Sequence, residues 1–183
     1  MYRLFIAIDF NEDIREMLSD ICFGLRQIRW SPLEQLHLTL RFLGDVDKHT
    51  FEDILSTLAR VEAPAFSLTI KGAGYFPPRR SPRIIWAGVE PDQELLTLKN
   101  KIDRVLQLLH VEPDKHKFHP HITLGRAKGE ISKHSVMPFI TRNALFKIEH
   151  LPVTAFHLYS SQLTREGAVH TCEATYDLDQ RWA

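Results

Sequence analysis

With 183 residues, 44% of them hydrophobic and 25% charged, the chain has the make-up of an ordinary soluble globular protein, long enough to bury a substantial core in one domain or two small lobes. Its 23 basic and 23 acidic side chains cancel, which excludes a global field drawing it to nucleic acid or membrane, so any polyanion must be met by a local patch. Cys22 and Cys172 have neither metal-type spacing nor a disulfide framework, and no apolar run is long enough for a signal peptide or membrane span, so a cytoplasmic protein is expected.

The chain opens with Leu4-Phe5-Ile6-Ala7-Ile8, which reads as a buried strand over 2–9. Asn11 is a plausible helix N-cap, and Ile14, Met17, Leu18, Ile21, Cys22, Leu25 and Ile28 follow at helical spacing, predicting one amphipathic helix with Cys22 as a structural thiol on its apolar stripe. A strand over 36–43 comes next. Strict alternation puts Leu36, Leu38, Leu40 and Phe42 on the core face, and His37, Thr39 and, if the alternation holds, Arg41 on the other. A helix over 48–61 turns Phe51, Ile54, Leu55 and Leu58 inward, and Phe66, Leu68 and Ile70 alternate in a strand ending at Gly72.

Composition makes 74–83 a loop; Arg79, Arg80 and Arg83 with two aromatics there fit either a nucleotide-binding segment or a solvated loop. A strand over 84–89 and a helix over 93–109 follow. The run Phe118-His119-Pro120-His121-Ile122-Thr123-Leu124-Gly125-Arg126 is the next strand, with Pro120 suited to its first residue or an edge. His119 would share the face of His121, and His116 between Lys115 and Lys117 reads as a basic loop, solvated or attracting a polyanion. A short helix or irregular segment over 129–137, strands over 144–150 and 152–160, a turn at Thr164–Gly167 and a last strand over 169–178 complete the reading.

His121-Ile122-Thr123-Leu124 repeats His37-Leu38-Thr39-Leu40 from 84 residues earlier. With 10 His, 11 Thr and 23 Leu, a histidine followed two places on by threonine is expected about 0.6 times by chance, but His-x-Thr-Leu only about 0.08 times, so two copies are a signal. Each motif places an imidazole and a hydroxyl side by side on one strand face. Two such strands facing one cleft suit acid–base chemistry on a phosphodiester: a neutral imidazole takes a proton from water, a protonated one gives a proton to the leaving alkoxide, and the hydroxyls hold phosphate oxygens. Arg126 fits a phosphate ligand or a surface ion pair. Short strand connections and one motif strand in each half predict an α+β protein: bilobal, two related lobes with largely antiparallel sheets around a central cleft and helices on the outside, residues 1–183 forming a single bilobal domain.

The chain resembles the 2H phosphoesterase superfamily, specifically the LigT-like RNA 2′,3′-cyclic phosphodiesterases also called 2′-5′ RNA ligases. The resemblance rests on Arg3–Ile8, on Leu36–Leu40 with Phe42-Leu43-Gly44, and on Gly74 with Phe76-Pro77. It extends through Pro120–Leu124 with Arg126 and Leu158–Ser161 before Gly167. It implies metal-independent hydrolysis, without a cofactor, of an RNA-terminal 2′,3′-cyclic phosphate to a 2′-phosphate. By motif position His37 is then the proton donor and His121 the acceptor, with Thr39 and Thr123 on phosphate oxygens and Arg126 supporting the second motif. His170 departs from the pattern, since relatives often carry a tyrosine there, which leaves that edge of the pocket undefined. The expected partners are RNA ends, including tRNA fragments, or small cyclic phosphates; neither a membrane nor a partner subunit is expected. Reversible 2′-5′ joining of RNA halves and a non-catalytic module gripping RNA ends or nucleotides are the alternatives. A two-histidine metal site lacks a carboxylate or cysteine at ligand spacing.

Overall fold

The apolar opening run forms strand β1 (Tyr2–Ile8), with Leu4 through Ile8 all buried. The computed structural model describes residues 1–77, 81–114, 117–164 and 167–179. Asn11 caps helix α1 (Glu12–Asp20), its side chain accepting from the Ile14 N–H at 3.1 Å. This helix is shorter than its apolar periodicity predicts. It stops before Gly24, which adopts φ +86°, and Ile28 lies instead in strand β2 (Ile28–Trp30). Leu25 and Ile28 still pack on the core, so the helical spacing recorded burial without helix.

A 3₁₀ turn at Leu33–Gln35 leads into strand β3 (Leu38–Val46). Asp47 caps helix α2 (Lys48–Leu58), which buries Ile54 and Leu58. Strand β4 (Phe66–Phe76) runs beyond the expected stop at Gly72, so Gly74, Tyr75 and Phe76 are paired strand residues, not loop. The glycine is there because the Trp86 ring lies on it: a Cβ at Gly74 would come within 2.2 Å of that ring. Arg79 and Arg80 lie outside the described residues, while Arg83 is exposed.

Strand β5 (Ile84–Val89) precedes helix α3 (Gln93–Gln107), capped by Asp92 and burying Leu95, Leu98, Ile102 and Leu106. Strand β6 (His121–Ala127) follows directly after Pro120, whose carbonyl accepts from Val89 N–H at 3.2 Å, so the proline needs no N–H of its own at the strand entrance. Helix α4 (Lys133–Arg142) is longer than the short segment expected there. Strands β7 (Lys147–Val153), β8 (Ala155–Thr164) and β9 (Gly167–Asp177) complete the chain.

The nine strands among the described residues form one antiparallel sheet in the order β7-β4-β5-β6-β3-β1-β8-β9, with β2 paired to β6 off this path. The two halves are β7-β4-β5-β6 and β3-β1-β8-β9, joined where β6 meets β3 through Leu38 and Ile122. β1–α1–β3 and β5–α3–β6 correspond: each is an antiparallel strand pair bracketing a helix, with a His-x-Thr-Leu motif on its second strand. Side chains from all four helices enter one core with Leu4, Ile6, Leu38, Leu40, Ile85, Ala87, Ile122 and Leu124. The opposite sheet face is left for other work.

Candidate active site

The pairing of Leu38 with Ile122 sets the geometry of the two motifs. In that antiparallel register His37 falls opposite Thr123 and Thr39 opposite His121, all on the face away from buried Leu38, Leu40, Ile122 and Leu124. The two histidines are diagonal neighbours, their backbones on the order of 7–8 Å apart, which leaves space for a phosphorus between the rings.

Both motif strands break step immediately after their threonine. On β3, Ala7 pairs with Thr39 but Ile6 pairs with Arg41, so Leu40 is an extra residue; on β6, Trp86 pairs with Thr123 but Ile85 pairs with Gly125, so Leu124 is extra. These matched bulges shift the side chains that follow them to the other face, on β3 until a second break at Leu43. Strict alternation fails as a result. Arg41 is buried on the helix side, 4% exposed, and Phe42 is on the cleft side, 68% exposed, the reverse of the expected placements. Arg126, three residues after Thr123, is carried back to the motif face, and its charge depresses both His37 and His121. Gly125 at the second bulge has no room for a side chain: a Cβ there would come within 2.6 Å of Ile28 and 2.9 Å of Trp30.

His37 sits in an aromatic wall. Phe5 stacks on it with centroids 5.0 Å apart, Tyr159 stacks on Phe5 at 5.2 Å, and His170 stands edge-on to Phe5 at 4.9 Å and to His37 at 5.7 Å. The imidazole of His170 thus fills the wall as a ring, and its Nδ1 is buried with no hydrogen-bond partner. Tyr159 is fixed by donating its hydroxyl to Asp9 at 2.9 Å, and Asp9 also binds Arg15. Burial would raise the Asp9 carboxyl, but the hydrogen bonds from Arg15 and Tyr159 outweigh it and hold the group below its ordinary range. Burial first, then the His170 charge, pulls the His37 imidazole down to about 4, against an opposing pull from Asp9.

His121 has a matching wall. Phe76 stands edge-on to it at 5.0 Å, Trp86 lies 6.3 Å away, and His119 packs against both Phe76 and Trp86. His121 Nδ1 lies 2.7 Å from the His119 carbonyl oxygen, which only accepts, so Nδ1 carries the proton and Nε2 presents a lone pair. Burial lowers the His121 imidazole, with the His119 and Arg126 charges acting the same way and the carbonyl hydrogen bond acting against them.

Five of the expected residues, His37, Thr39, His121, Thr123 and Arg126, therefore converge on one face, while Arg41 does not. His119 contributes through its backbone carbonyl as well as its ring. Lys115 and His116 lie outside the described residues. Phe5 and Phe76 enter the sequence reading only as parts of the runs that carry the resemblance, and Trp86 only as a strand residue; nothing in the sequence sets the three beside the histidines. A separate cavity of about 260 Å³ on the helix side is lined by Arg41, Lys99, Asp103, Asp114 and Phe118 and by neither motif histidine. Among the described residues no group of three or more His, Cys, Asp or Glu is placed to hold a metal ion, and no helix is long and apolar enough to cross a membrane.

Known proteins resemble this chain in sequence and in fold. The family model for LigT-like phosphoesterases matches the chain twice, over residues 8–86 and 88–170, one His-x-Thr-Leu motif in each match. The RNA 2′,3′-cyclic phosphodiesterase of Thermotoga maritima is 37% identical over 174 residues, covering 92% of this chain and 91% of that protein. The protein of the same name from Thermus thermophilus is 36% identical, covering 96% and 90%. The crystal structure of Escherichia coli LigT complexed with 3′-AMP superposes with a TM-score of 0.79 at 30% identity, covering 98% of this chain and 99% of that one. A doubled family match and near full-length likeness in sequence and fold leave one assignment: the chain belongs to the LigT-like phosphoesterase family.

Proposed function

We propose that this phosphoesterase hydrolyses an RNA-terminal 2′,3′-cyclic phosphodiester to a 2′-phosphomonoester by metal-independent two-histidine catalysis, its two halves acting as a single bilobal unit. The observation that carries the reading is the Leu38–Ile122 register, which sets two imidazoles and two hydroxyls on one sheet face. His121 Nε2 takes a proton from water as the water oxygen bonds to phosphorus. The bond from phosphorus to the 3′ oxygen breaks, and His37 gives that oxygen its proton. Thr39 and Thr123 donate to the phosphate oxygens, and Arg126 opposes the charge that builds on them. The fixed Nδ1–H of His121 supports its assignment as acceptor. In the protein alone His37 is low, but a phosphodiester anion between the motifs favours its charged form. The names of the relatives support the substrate, as do the crystal structures of E. coli LigT complexed with 3′-AMP and with phosphate.

The test is a product assay on an RNA oligomer ending in a 2′,3′-cyclic phosphate. The expected product is a 2′-phosphate, formed equally well in the presence of a chelator. His37→Ala and His121→Ala should each lose about 10²- to 10⁴-fold in turnover while remaining folded. Near-wild-type hydrolysis by both variants sinks the proposal.

A further inference from the structure

Strand β2 is three residues long, yet the fold fastens it closely against the far end of the second motif strand. Ser31 donates its backbone N–H to the Leu124 carbonyl at 2.8 Å and its hydroxyl to the Thr123 carbonyl at 3.1 Å, and the Lys128 N–H donates to the Gln27 carbonyl at 2.9 Å. Gly125 leaves the room this approach needs, since a Cβ there would also come within 3.0 Å of the Arg29 carbonyl. Ile28 is buried and Trp30 packs on Phe139 with centroids 5.4 Å apart, so both neighbours of Arg29 face the core. Alternation turns Arg29 to the opposite face, and the register sets it directly across from Arg126. Both are exposed, and among the described residues no ion pair reaches either guanidinium. Like charges directly opposite each other on a sheet repel, so a pair fastened in this way is one that a bound anion would relieve.

The pair continues the motif face. Along β6, Thr39 falls opposite His121 and His37 opposite Thr123; the next strand positions on that face are Arg126 and, across from it, Arg29. The arginines therefore lie beyond the His37 end of the site. If His37 protonates the leaving 3′ oxygen, the ribose bearing that oxygen lies at this end. The next anionic group along an RNA strand is the phosphate on the 5′ oxygen of the same ribose. Arg126 faces the reacting phosphate in the mechanism above, which leaves Arg29 unused. We propose that Arg29 holds the internucleotide phosphate on the 5′ side of the terminal ribonucleotide, so that the site takes the end of an RNA chain in preference to a free nucleoside 2′,3′-cyclic phosphate. This assignment rests on the two-histidine reading and adds to it a phosphate subsite. A guanidinium suits the task, because it pairs with two oxygens of a phosphodiester whatever base is attached.

Arg29 is exposed and its removal relieves a repulsion, so Arg29→Gln should melt no lower than wild type. Two substrates are compared, an RNA oligomer ending in adenosine 2′,3′-cyclic phosphate and the free nucleoside 2′,3′-cyclic phosphate. On the oligomer, Arg29→Gln should raise KM about 5- to 50-fold, the range of one charge-assisted hydrogen bond partly screened by solvent, with kcat within about twofold. The slope of log KM against log salt should fall by about 0.7, the value for one single-strand phosphate contact. Arg29→Lys, which keeps the charge, should retain most of the oligomer affinity. On the free nucleoside cyclic phosphate the KM of Arg29→Gln should move by less than about twofold, because the phosphate that Arg29 holds is missing. Calorimetric titration with adenosine 2′,5′-bisphosphate and adenosine 2′-monophosphate gives a readout independent of turnover. Wild type should bind the bisphosphate more tightly, and Arg29→Gln should bind the two alike. An unchanged oligomer KM, or an equal rise for both substrates, overturns the assignment. If the wild-type protein hydrolyses neither substrate, the functional reading fails while the two titrations still decide the role of Arg29.

Discussion

At the scale of the residue, burial pushes the two motif imidazoles the same way, while the proposed mechanism asks them for opposite protonation states. His121 must be neutral to accept a proton, so activity is lost as pH falls through its value. His37 must be protonated to donate one, so activity is lost as pH rises through its value. Because His37 is held to about 4 and His121 lies below 6.5, the free protein carries only a small fraction of the productive pair at neutral pH. A bound phosphodiester anion raises His37 and enlarges that fraction. The expected outcome is a bell-shaped profile in which the basic limb of kcat lies at higher pH than that of kcat/KM, since the first reports the complex and the second the free protein. Steady-state kinetics from pH 4 to 9 check this; superimposed basic limbs would remove His37 as the proton donor. The paired His-x-Thr-Leu motifs make both histidines visible in the sequence. Their environments are not visible, because Phe5, Tyr159, Phe76 and Trp86 come from other strands, and nothing in those strands marks them as neighbours of the histidines until the sheet brings them together.

At the scale of the element, the paired bulges decide which side chains reach the site. Period-two counting is sound up to Thr39 and Thr123 and wrong one residue later. An extra residue is defined only relative to the partner strand, Ala7 and Ile6 for Leu40, Trp86 and Ile85 for Leu124, so no pattern within the motif strand announces it. The same break turns Arg41 inward, where it donates to the Glu112 carbonyl and faces Asp114 at 3.5 Å and Asp103 at 3.7 Å. The first motif strand is thereby tied to α3 and to the segment leading toward His119 and His121. Arg41→Met should cost about 1.5–3 kcal/mol, the range for hydrogen bonds to charged groups, because a buried charge-assisted contact is removed and Asp103 loses a partner. Denaturant unfolding measures the loss, and a variant as stable as wild type would show that the ion cluster holds nothing. Helix α1 repeats the lesson: Leu25 and Ile28 keep the helical period and the burial it signals, but Gly24 ends any helix before them.

At the scale of the whole molecule, two halves built alike meet at their motif strands, so the cleft face is their shared seam. Two motifs in one chain made a divided site legible. That the halves join as one continuous sheet through Leu38 and Ile122 was not, since a strand edge carries no mark of which edge it will meet. Concentrating imidazoles along this seam has a thermodynamic consequence. His37, His121, His157 and His170 are all pulled below their ordinary value, burial being the largest cause in each. The unfolded chain, titrating near 6.5, then binds more protons than the folded one between that pH and the folded values, so stability rises with pH through the window. It is fully present above about pH 6.5 and is lost as pH falls, with the His37 contribution disappearing last, toward pH 4. At 1.36 kcal/mol per unit, His37 alone contributes on the order of 3 kcal/mol. Asp9, held low by Arg15 and Tyr159, adds a loss in the same direction only below its unperturbed 3.8. The denaturant midpoint should therefore drop clearly between pH 7.5 and pH 5. His37→Phe, which keeps a ring against Phe5 but cannot titrate, should flatten the slope between these two pH values. A midpoint that stays level in the wild-type protein would mean that the seam is wetter than its ring contacts indicate and that the histidines titrate as they do in water.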